Sequence, residues 1–313
     1  MPTVIPLERQ THRVTLATAS AAFLAEHDLG VGSQRIYRST LAAWQDGLDA
    51  QTLLAALDAA AGREQVTAWF HTRYDRTAAA TRVRQWAILR SACAFWRRRG
   101  WLDTDPTAGL ERPRVSPDRT KALTREQIAV LWRRTDVALR ERTCWRLLYE
   151  SAARANEVLS LDVTALDLPN KRARVRSKGG ATEWVFWQTG TAFLLPRLLA
   201  GRTSGPVFLA ARQPTRAVPS LDRCPSTGRA RLSYRRAAEL FSGATAPDAK
   251  RPWTLHQLRH SALTHAAEDG TNTPMLLARS RHASIRSLER YARPGPEAVA
   301  RYVAERDPAR RSR

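Results

Sequence analysis

Large apolar residues in the first hundred positions recur at intervals of three or four, which is the spacing of one helical face. Two sets show this pattern: Tyr37, Leu41, Trp44 and Leu48, and then Trp86, Leu89, Cys93 and Trp96. The pattern predicts two amphipathic helices whose apolar faces form a core. Ser33 stands where the first helix is expected to be capped, and Gly100 stands where the second is expected to end.

A stretch rich in proline and glycine interrupts this helical pattern. Three prolines and a glycine fall within residues 103–119, and such clusters are typical of connections between folded elements. Beyond the stretch, Thr124 and Gln127 have the spacing of a capping box at the start of a new apolar stripe. The predicted division is a helical domain over residues 1–112, a linker over 113–122 and a second domain over 123–313.

The second domain mixes two kinds of pattern. Residues 172–176 alternate between basic and apolar side chains, and residues 183–187 are rich in β-prone types. The glycine-containing segment 177–180 between them predicts the turn of a β-hairpin. Helical patterns occupy the segments around Cys144, from Ser233 to Phe241 and from His256 onward. The predicted fold class is mostly α with a small antiparallel β-sheet.

The charge of the chain indicates a polyanionic partner. The formal net charge is +22 over 313 residues; the first fifty residues carry a net −1, so the rest carry +23. The positive charge therefore belongs to the folded body and is not a detachable tail. Because neutralising phosphates releases condensed counterions, a nucleic acid is the expected partner. Biased base composition can explain why only four of the 51 basic residues are lysine, but it does not explain the net charge.

Several classes of protein are excluded by composition. No apolar run of 18 residues is present, and the first thirteen residues lack the apolar core of a signal peptide. The three cysteines, Cys93, Cys144 and Cys224, are far apart and form no Cys-x-x-Cys pair. A disulfide framework or a zinc knuckle is therefore not expected, and a reducing cytoplasm fits best.

Chemistry-bearing residues of the second domain form an ordered series along the chain. In order they are Arg154 with Glu157, Lys178 in the hairpin turn, His256-x-x-Arg259-His260, and His282 nine residues before Tyr291. The spacing of His256 and Arg259 places them one turn apart on one helical face. The series resembles the tyrosine recombinase (phage integrase) family in its order and separations, over residues 124–302. The helical part before it is similar to the DNA-clamping domain of that family.

The resemblance implies both an architecture and an activity. The architecture is a helical N-terminal DNA-binding domain followed by a mixed α/β catalytic domain. The activity is that of a site-specific recombinase or integrase, which cleaves and rejoins double-stranded DNA through a 3′-phosphotyrosyl intermediate. The implied assembly is a homo-oligomer with four protomers on two duplexes. No cofactor, metal, membrane or small-molecule substrate is implied.

A tyrosine and two arginines of the series suit nucleophilic attack on a phosphodiester. By resemblance, Tyr291 is the nucleophile that forms the phosphotyrosyl bond. A phenol ionises only near pH 10 in water, so the surroundings must activate it. Arg154 and Arg259 are assigned to the non-bridging phosphate oxygens, which permanently charged guanidinium groups can hold in a fork. Because these arginines supply positive charge, the reaction needs no metal ion.

The remaining residues are assigned to proton transfer and support. Lys178 is assigned to protonating the leaving 5′ oxygen, since an ammonium can surrender a proton and a guanidinium in practice cannot. His256 is assigned to proton transfer and phosphate contact, and His282 to a phosphate hydrogen bond. Glu157 is expected to hold a neighbouring side chain. His260 is interpreted as structural, and so is His265.

Alternatives exist for individual residues and for the function. Lys171 is the alternative to Lys178, and Tyr302 is the rival nucleophile. Ser280-Arg281 stands where the family has Leu-Gly before His282, which changes the packing there and adds a charge. A type IB topoisomerase uses the same chemistry, and a catalytically silent DNA-binding protein can keep the same fold. A metal-dependent phosphohydrolase built on the histidines is disfavoured because no clustered carboxylates accompany them.

Overall fold

The fold is known from a computed structural model that describes residues 14–27, 29–114, 122–176, 180–248, 252–281, 285–288 and 296–307. The chain divides into two compact units, Met1–Pro117 and Asp118–Arg313, which we call the N-terminal unit and the C-terminal unit. Each unit has a hydrophobic core of its own. The functional roles assigned to the two predicted domains stay predictions.

The N-terminal unit is helical. Its helices are α1 (Leu16–Glu26), α2 (Val31–Leu48), α3 (Ala60–Tyr74) and α4 (Ala79–Arg98), with a 3₁₀ turn at Leu54–Asp58. The two predicted apolar stripes lie on α2 and α4. Trp44, Leu89 and Trp96 are fully buried, whereas Tyr37 and Trp86 pack at the edge of the core. Both stripes therefore form core, as the spacing predicted.

One of the two predicted helix boundaries in this unit is wrong and one is confirmed. Helix α2 begins at Val31 after Gly30, and Ser33 lies inside its first turn with its N–H bonded to the Gly30 carbonyl (2.8 Å). Ser33 therefore cannot be the cap. Helix α4 does end just before Gly100, whose φ of +69° is the left-handed conformation that glycine adopts without a Cβ penalty.

The segment after α4 is fixed to the N-terminal unit by long-range hydrogen bonds. The Asp58 carboxylate accepts from the backbone N–H of Thr104 (2.8 Å) and from its hydroxyl (2.9 Å). The indole N–H of Trp86 donates to the Leu110 carbonyl (2.9 Å). The first part of the proline-containing stretch is therefore folded structure as far as Leu110.

The C-terminal unit contains most of the helices and the sheet. Its helices are α5 (Arg125–Arg133), α6 (Leu139–Ser151), α7 (Ala155–Leu159), α8 (Thr189–Leu199), α9 (Tyr234–Thr245), α10 (Leu255–Glu268), α11 (Thr273–Ser280), α12 (Ile285–Leu288) and α13 (Pro296–Glu305). Helix α5 begins with the predicted capping box: the Thr124 hydroxyl accepts from the Gln127 N–H, and the Gln127 side chain accepts from the Thr124 N–H. Helix α6 is central, since Trp145, Leu147 and Leu148 are buried in the core.

The sheet is antiparallel, with strands in the order β1 (Leu166–Asp167), β2 (Arg172–Arg176) and β3 (Thr182–Phe186). Strands β2 and β3 form the predicted hairpin, although β3 begins and ends one residue earlier than expected, and turn residues 177–179 lie outside the described part of the chain. Alternate side chains point to opposite faces. Ala173 faces the core beside Val185, while Arg174 lies opposite Trp184 on the exposed face. The mostly helical fold class with a small antiparallel sheet is confirmed.

Among the described residues, no α-helix combines the length and the apolar character that crossing a lipid bilayer requires.

Candidate active site

Arg154 is held at a tight junction between two helices. Helix α6 ends at Ser151, and Ala152 adopts the left-handed conformation (φ 51°) that turns the chain into α7. Arg154 immediately precedes α7, and its backbone N–H donates to Glu157 Oε2 (2.8 Å). Its guanidinium donates to Glu157 Oε1 (2.7 Å). Glu157 therefore holds a neighbouring side chain, as the sequence predicted, and it also accepts from the backbone of Arg154.

Arg259 approaches the same junction from another helix. Helix α10 starts with a capping box formed by Thr254 and Gln257, and this start places Arg259 in the early turns of the helix. Arg259 is only 2% exposed. Its guanidinium donates to the Ala152 carbonyl and to the Ser280 carbonyl (2.5 Å). These charge-assisted bonds join α10 to the end of α6 and the end of α11.

The two guanidinium groups converge on neighbouring peptide groups. Arg259 donates to the carbonyl of Ser280, and Arg154 donates to the carbonyl of Arg281 (3.3 Å). The structure therefore brings the two predicted phosphate-binding arginines together. They meet at the carbonyls of Ser280 and Arg281, the two residues that precede His282 in the chain. Arg154 keeps 37% of its side chain exposed, so its charge remains accessible from solvent.

A third guanidinium joins this cluster, and sequence reasoning did not give it a role. Arg281 ends α11 in the left-handed conformation (φ 54°, ψ 42°). Its side chain is 6% exposed and pairs with the Glu157 carboxylate. It also faces Glu183 on β3, with Nε 3.3 Å from the carboxylate oxygen. The only sequence signal was the charge at a position where the family has glycine.

The electrostatics of the cluster keep Glu157 ionised. Burial alone disfavours the charged carboxylate, but the positive charge of Arg281 and the hydrogen bonds from Arg154 outweigh burial. The pKa of Glu157 is therefore lowered from its ordinary value. An ionised Glu157 can accept from both arginines at once, which is the arrangement that the structure shows.

The histidines differ in their surroundings. His256 lies one turn before Arg259 on α10 and is exposed, whereas His260 and His265 are buried. The ring Nδ1 of His265 lies 2.8 Å from the Tyr149 hydroxyl. Burial is the main cause that lowers the pKa of His265 and raises that of Tyr149. The neutral ring is thus favoured as an acceptor for the phenol, in keeping with a structural role.

Three of the predicted site residues, Lys178, His282 and Tyr291, lie outside the residues that the structure describes. Their roles stay predictions. Of the alternatives, Lys171 places its ammonium 3.5 Å from the Thr189 hydroxyl. Tyr302 is 47% exposed on α13, with the Arg306 guanidinium 3.7 Å from its ring centre. Within the described ranges, no three His, Cys, Asp or Glu side chains are grouped as a metal site requires.

Comparison with known sequences identifies relatives over most of the chain. The sequence profile of the phage integrase family matches residues 121–297. Tyrosine recombinase XerD of Xanthomonas campestris pv. campestris is 30% identical over 261 residues, which cover 80% of this chain and 77% of the relative. Tyrosine recombinase XerC of Erythrobacter litoralis is 27% identical over 302 residues, with 94% of both chains covered.

Solved structures share the fold at low sequence identity. The integrase of the transposon Tn1549, in complex with circular intermediate DNA, superposes with a TM-score of 0.69 at 13% identity, covering 93% of this chain and 99% of that one. A lambda integrase dimer bound to a COC′ core site gives a TM-score of 0.69 at 15% identity, covering 90% of this chain and 78% of that one.

The matches to the family profile and to these recombinases place the chain in the class of DNA strand-exchange proteins. The chain belongs to the phage integrase family of tyrosine recombinases, and it is a site-specific DNA recombinase by that membership. The family, fold class and enzyme class predicted from the sequence are confirmed.

Proposed function

We propose that the protein cuts and rejoins double-stranded DNA one strand at a time, with Tyr291 as the nucleophile. The phenol gives up its proton, a transfer assigned to His256, and its oxygen attacks phosphorus and forms a phosphotyrosyl bond. The bond from phosphorus to the 5′ oxygen breaks, and that oxygen takes a proton and leaves as a hydroxyl. Attack by a 5′ hydroxyl on the phosphotyrosine reverses these steps and reseals a strand. The energy of the original linkage is conserved in the covalent intermediate.

The convergence of Arg154 and Arg259 carries this proposal. A phosphodiester accumulates negative charge on its non-bridging oxygens as the nucleophile attacks, and preorganised donors at that point lower the barrier. Arg154 is anchored by Glu157 yet partly exposed, so its guanidinium can contact a phosphate without losing its support. Arg259 supplies a second fixed positive charge from the interior, beside the same pair of carbonyls.

Proton transfer is assigned to the remaining predicted residues. Lys178 protonates the leaving 5′ oxygen, His256 contacts the phosphate and assists proton transfer, and His282 donates to a phosphate oxygen. The exposure of His256 on α10, one turn from Arg259, supports its part of this assignment because a ring at the surface can reach bound DNA.

The substrate is a DNA duplex, and the active assembly is four protomers on two duplexes. The net charge of +22 favours a polyphosphate partner. Two structures with the same fold contain DNA: a transposon integrase with circular intermediate DNA and a lambda integrase dimer on a core site. We infer that the protein acts in the cytoplasm, at the nucleoid, because its proposed substrate is DNA.

The test is covalent capture. The full chain is incubated with labelled duplexes that carry a randomised central segment, and protein–DNA adducts that survive detergent are isolated and sequenced to define a site. Wild-type protein is expected to form the adduct. Tyr291→Phe is expected to bind the selected duplex with unchanged affinity and to form none. Tyr302→Phe is the matched control and is expected to behave as wild type.

Other outcomes identify the alternatives. An adduct that persists in Tyr291→Phe and disappears in Tyr302→Phe moves the nucleophile to residue 302. Sequence-specific binding with no adduct in wild type indicates a silent DNA-binding protein. Loss of cleavage with a chelator indicates a metal-dependent enzyme. Two marked duplexes that carry the selected site are expected to exchange strands, whereas plasmid relaxation without exchange indicates a topoisomerase.

A further inference from the structure

Arg281 occupies a backbone conformation that side-chain-bearing residues adopt at a cost. Its φ of 54° and ψ of 42° lie in the left-handed region, where the Cβ crowds the following carbonyl. Such residues persist where their surroundings fix them. Here the fixing contacts are made by the side chain itself, which is almost completely buried between two carboxylates.

The carboxylates that Arg281 contacts come from two different elements. Glu157 lies on α7 and is the residue that holds Arg154, while Glu183 lies on β3, the strand that follows Lys178 in the chain. The carbonyl of Arg281 in turn accepts from Arg154 (3.3 Å). Arg281 therefore contacts Glu157, which holds Arg154, and it contacts Arg154 itself. It also contacts Glu183 on β3, the strand that follows Lys178 in the chain.

Arg281 is placed to support phosphate-binding groups more than to bind phosphate. Its side chain is 6% exposed, against 37% for Arg154, and its Nη2 atom donates to the Glu157 carboxylate. Arg259 is also buried, but its guanidinium donates to uncharged carbonyls, whereas Arg281 is paired with two carboxylates that balance its charge. Glu157 bonds the guanidinium of Arg154 through Oε1 and that of Arg281 through Oε2. Without Arg281, that carboxylate loses one of its two cationic partners while remaining buried.

We propose that Arg281 is a positioning residue for strand cleavage: it holds Glu157 in the orientation that aims Arg154 at the phosphate, and it fastens β3 to the same cluster through Glu183. The inference rests on the proposed role of Arg154. It adds a residue that acts through Glu157 and does not itself touch DNA.

The decisive variant is Arg281→Gly, because glycine adopts the left-handed conformation freely and so removes the side chain while favouring the backbone. Ala200→Gly is the matched control, since Ala200 is another left-handed residue (φ 48°) outside this cluster. Cleavage is measured as single-turnover adduct formation on the duplex selected by covalent capture, together with the dissociation constant for that duplex.

Arg281→Gly is expected to slow cleavage about tenfold to a hundredfold, the cost of misplacing a reacting group by a fraction of an ångström to an ångström. Its dissociation constant is expected to change by less than about threefold, because a buried side chain contributes little to steering DNA. Arg281→Lys keeps the charge without the fork and is expected to recover part of the rate. Ala200→Gly is expected to cleave at the wild-type rate.

A double variant separates positioning through Glu157 from an independent effect. If Arg281 acts through Glu157, then Arg281→Gly combined with Glu157→Gln is expected to be no more than about threefold slower than Glu157→Gln alone, because coupled residues are not additive. If the double variant loses the product of the two single-variant losses in cleavage rate, the inference is overturned. It is also overturned if Arg281→Gly cleaves at the wild-type rate. If Arg281→Gly does not fold, Arg281→Lys takes its place in the same comparison with Glu157→Gln.

The failure of this inference is distinguishable from the failure of the proposed function. If wild type forms no adduct, the proposed function fails. If Arg154→Ala forms the adduct at the wild-type rate, the phosphate-binding role of Arg154 fails, and the role of Arg281 fails with it. If Arg154→Ala loses cleavage while Arg281→Gly keeps it, the proposed function stands and only the role of Arg281 is overturned.

Discussion

Arg154 and Arg259 donate to consecutive carbonyls, those of Arg281 and Ser280. The arginines belong to separate segments, one at the start of α7 and one within α10, yet the end of α11 brings them to a single point. Arg154 is anchored by Glu157 and partly exposed, whereas Arg259 is buried and bonded to the ends of two helices. Substitutions of the two residues are therefore expected to have different consequences for folding.

Arg154→Ala is expected to lower the rate of strand cleavage by at least about a hundredfold, because it removes a preorganised donor from the transition state. The dissociation constant for the selected duplex is expected to change little, since many other basic residues contribute to binding. Single-turnover adduct formation and a binding titration measure the two effects. Arg154→Lys is the control, because lysine keeps the positive charge but cannot donate two parallel hydrogen bonds as a guanidinium does. Wild-type cleavage by Arg154→Ala contradicts the phosphate-binding role.

Arg259→Ala is expected to lower both cleavage and stability. It leaves the Ala152 and Ser280 carbonyls without the donor that the structure shows, and a buried acceptor that loses its partner costs about 1–3 kcal/mol. Thermal unfolding of the DNA-free chain measures the stability effect. If Arg259→Ala has the melting temperature of wild type, the expected loss of stability is contradicted. The comparison with Arg154→Ala separates loss of chemistry from loss of structure.

Binding to DNA is expected to weaken steeply with salt. Forty-seven of the 51 basic residues are arginine, and the net charge is +22. Each phosphate neutralised contributes about −0.9 to the slope of log affinity against log salt concentration for duplex DNA. A fluorescence titration at several salt concentrations measures the slope. An affinity that is independent of salt is incompatible with binding through the phosphates.

The stability of the C-terminal unit is expected to fall as the pH drops below the ordinary imidazole pKa of about 6.5. Burial, assisted by the charge of Arg125, lowers the pKa of His265 in the folded chain. At pH values between the folded and unfolded pKa, the unfolded chain binds more protons, so stability rises with pH and is complete above the unfolded pKa. Glu268 and Asp269 act in the opposite direction and limit the effect.

Urea unfolding of wild type and His265→Gln at pH values from about 5.5 to 8 measures this effect, since the variant lacks the imidazole whose pKa is lowered in the folded chain. The glutamine oxygen can still accept from Tyr149, so His265→Gln is a matched control. The pH dependence in this range is expected to be smaller in the variant. Identical pH dependence in the two proteins assigns the effect to another group.

Asp58→Ala is expected to destabilise the N-terminal unit by about 1–3 kcal/mol, because it removes the acceptor of the Thr104 N–H and hydroxyl. Asp58→Asn keeps one acceptor oxygen and is expected to lose less. Tryptophan fluorescence during denaturation measures the change. Equal stability of wild type and Asp58→Ala would show that the hydrogen bonds between Asp58 and Thr104 do not help to hold the segment after α4.

The elements predicted correctly depend on local patterns, whereas the contacts that were not predicted join residues far apart in the chain. The stripe through Leu89 and Trp96 and the capping box at Thr124 involve neighbours within one or two turns, so spacing predicts them. The contact of Arg281 with Glu157 joins residues 124 positions apart, and that of Asp58 with Thr104 joins residues 46 positions apart. No periodicity encodes such pairs.

The same distinction applies to the active site. The order of Arg154, His256 and Arg259 along the chain pointed to the chemistry, because their types suit a phosphate substrate. The position of Arg281 pointed only to a departure from the family, since charge on a linear sequence does not reveal which carboxylates surround it. The boundary of α2 was misplaced for a local reason: Ser33 is a suitable cap by type, but Gly30 already begins the helix.

The two units have separate cores, one built from residues up to Leu110 and the other from residues beginning at Leu123. A core substitution in one unit therefore replaces a side chain that belongs to that unit's cluster alone. Selection can in consequence alter the interior of the first unit without replacing any side chain of the arginine cluster, which lies in the second unit.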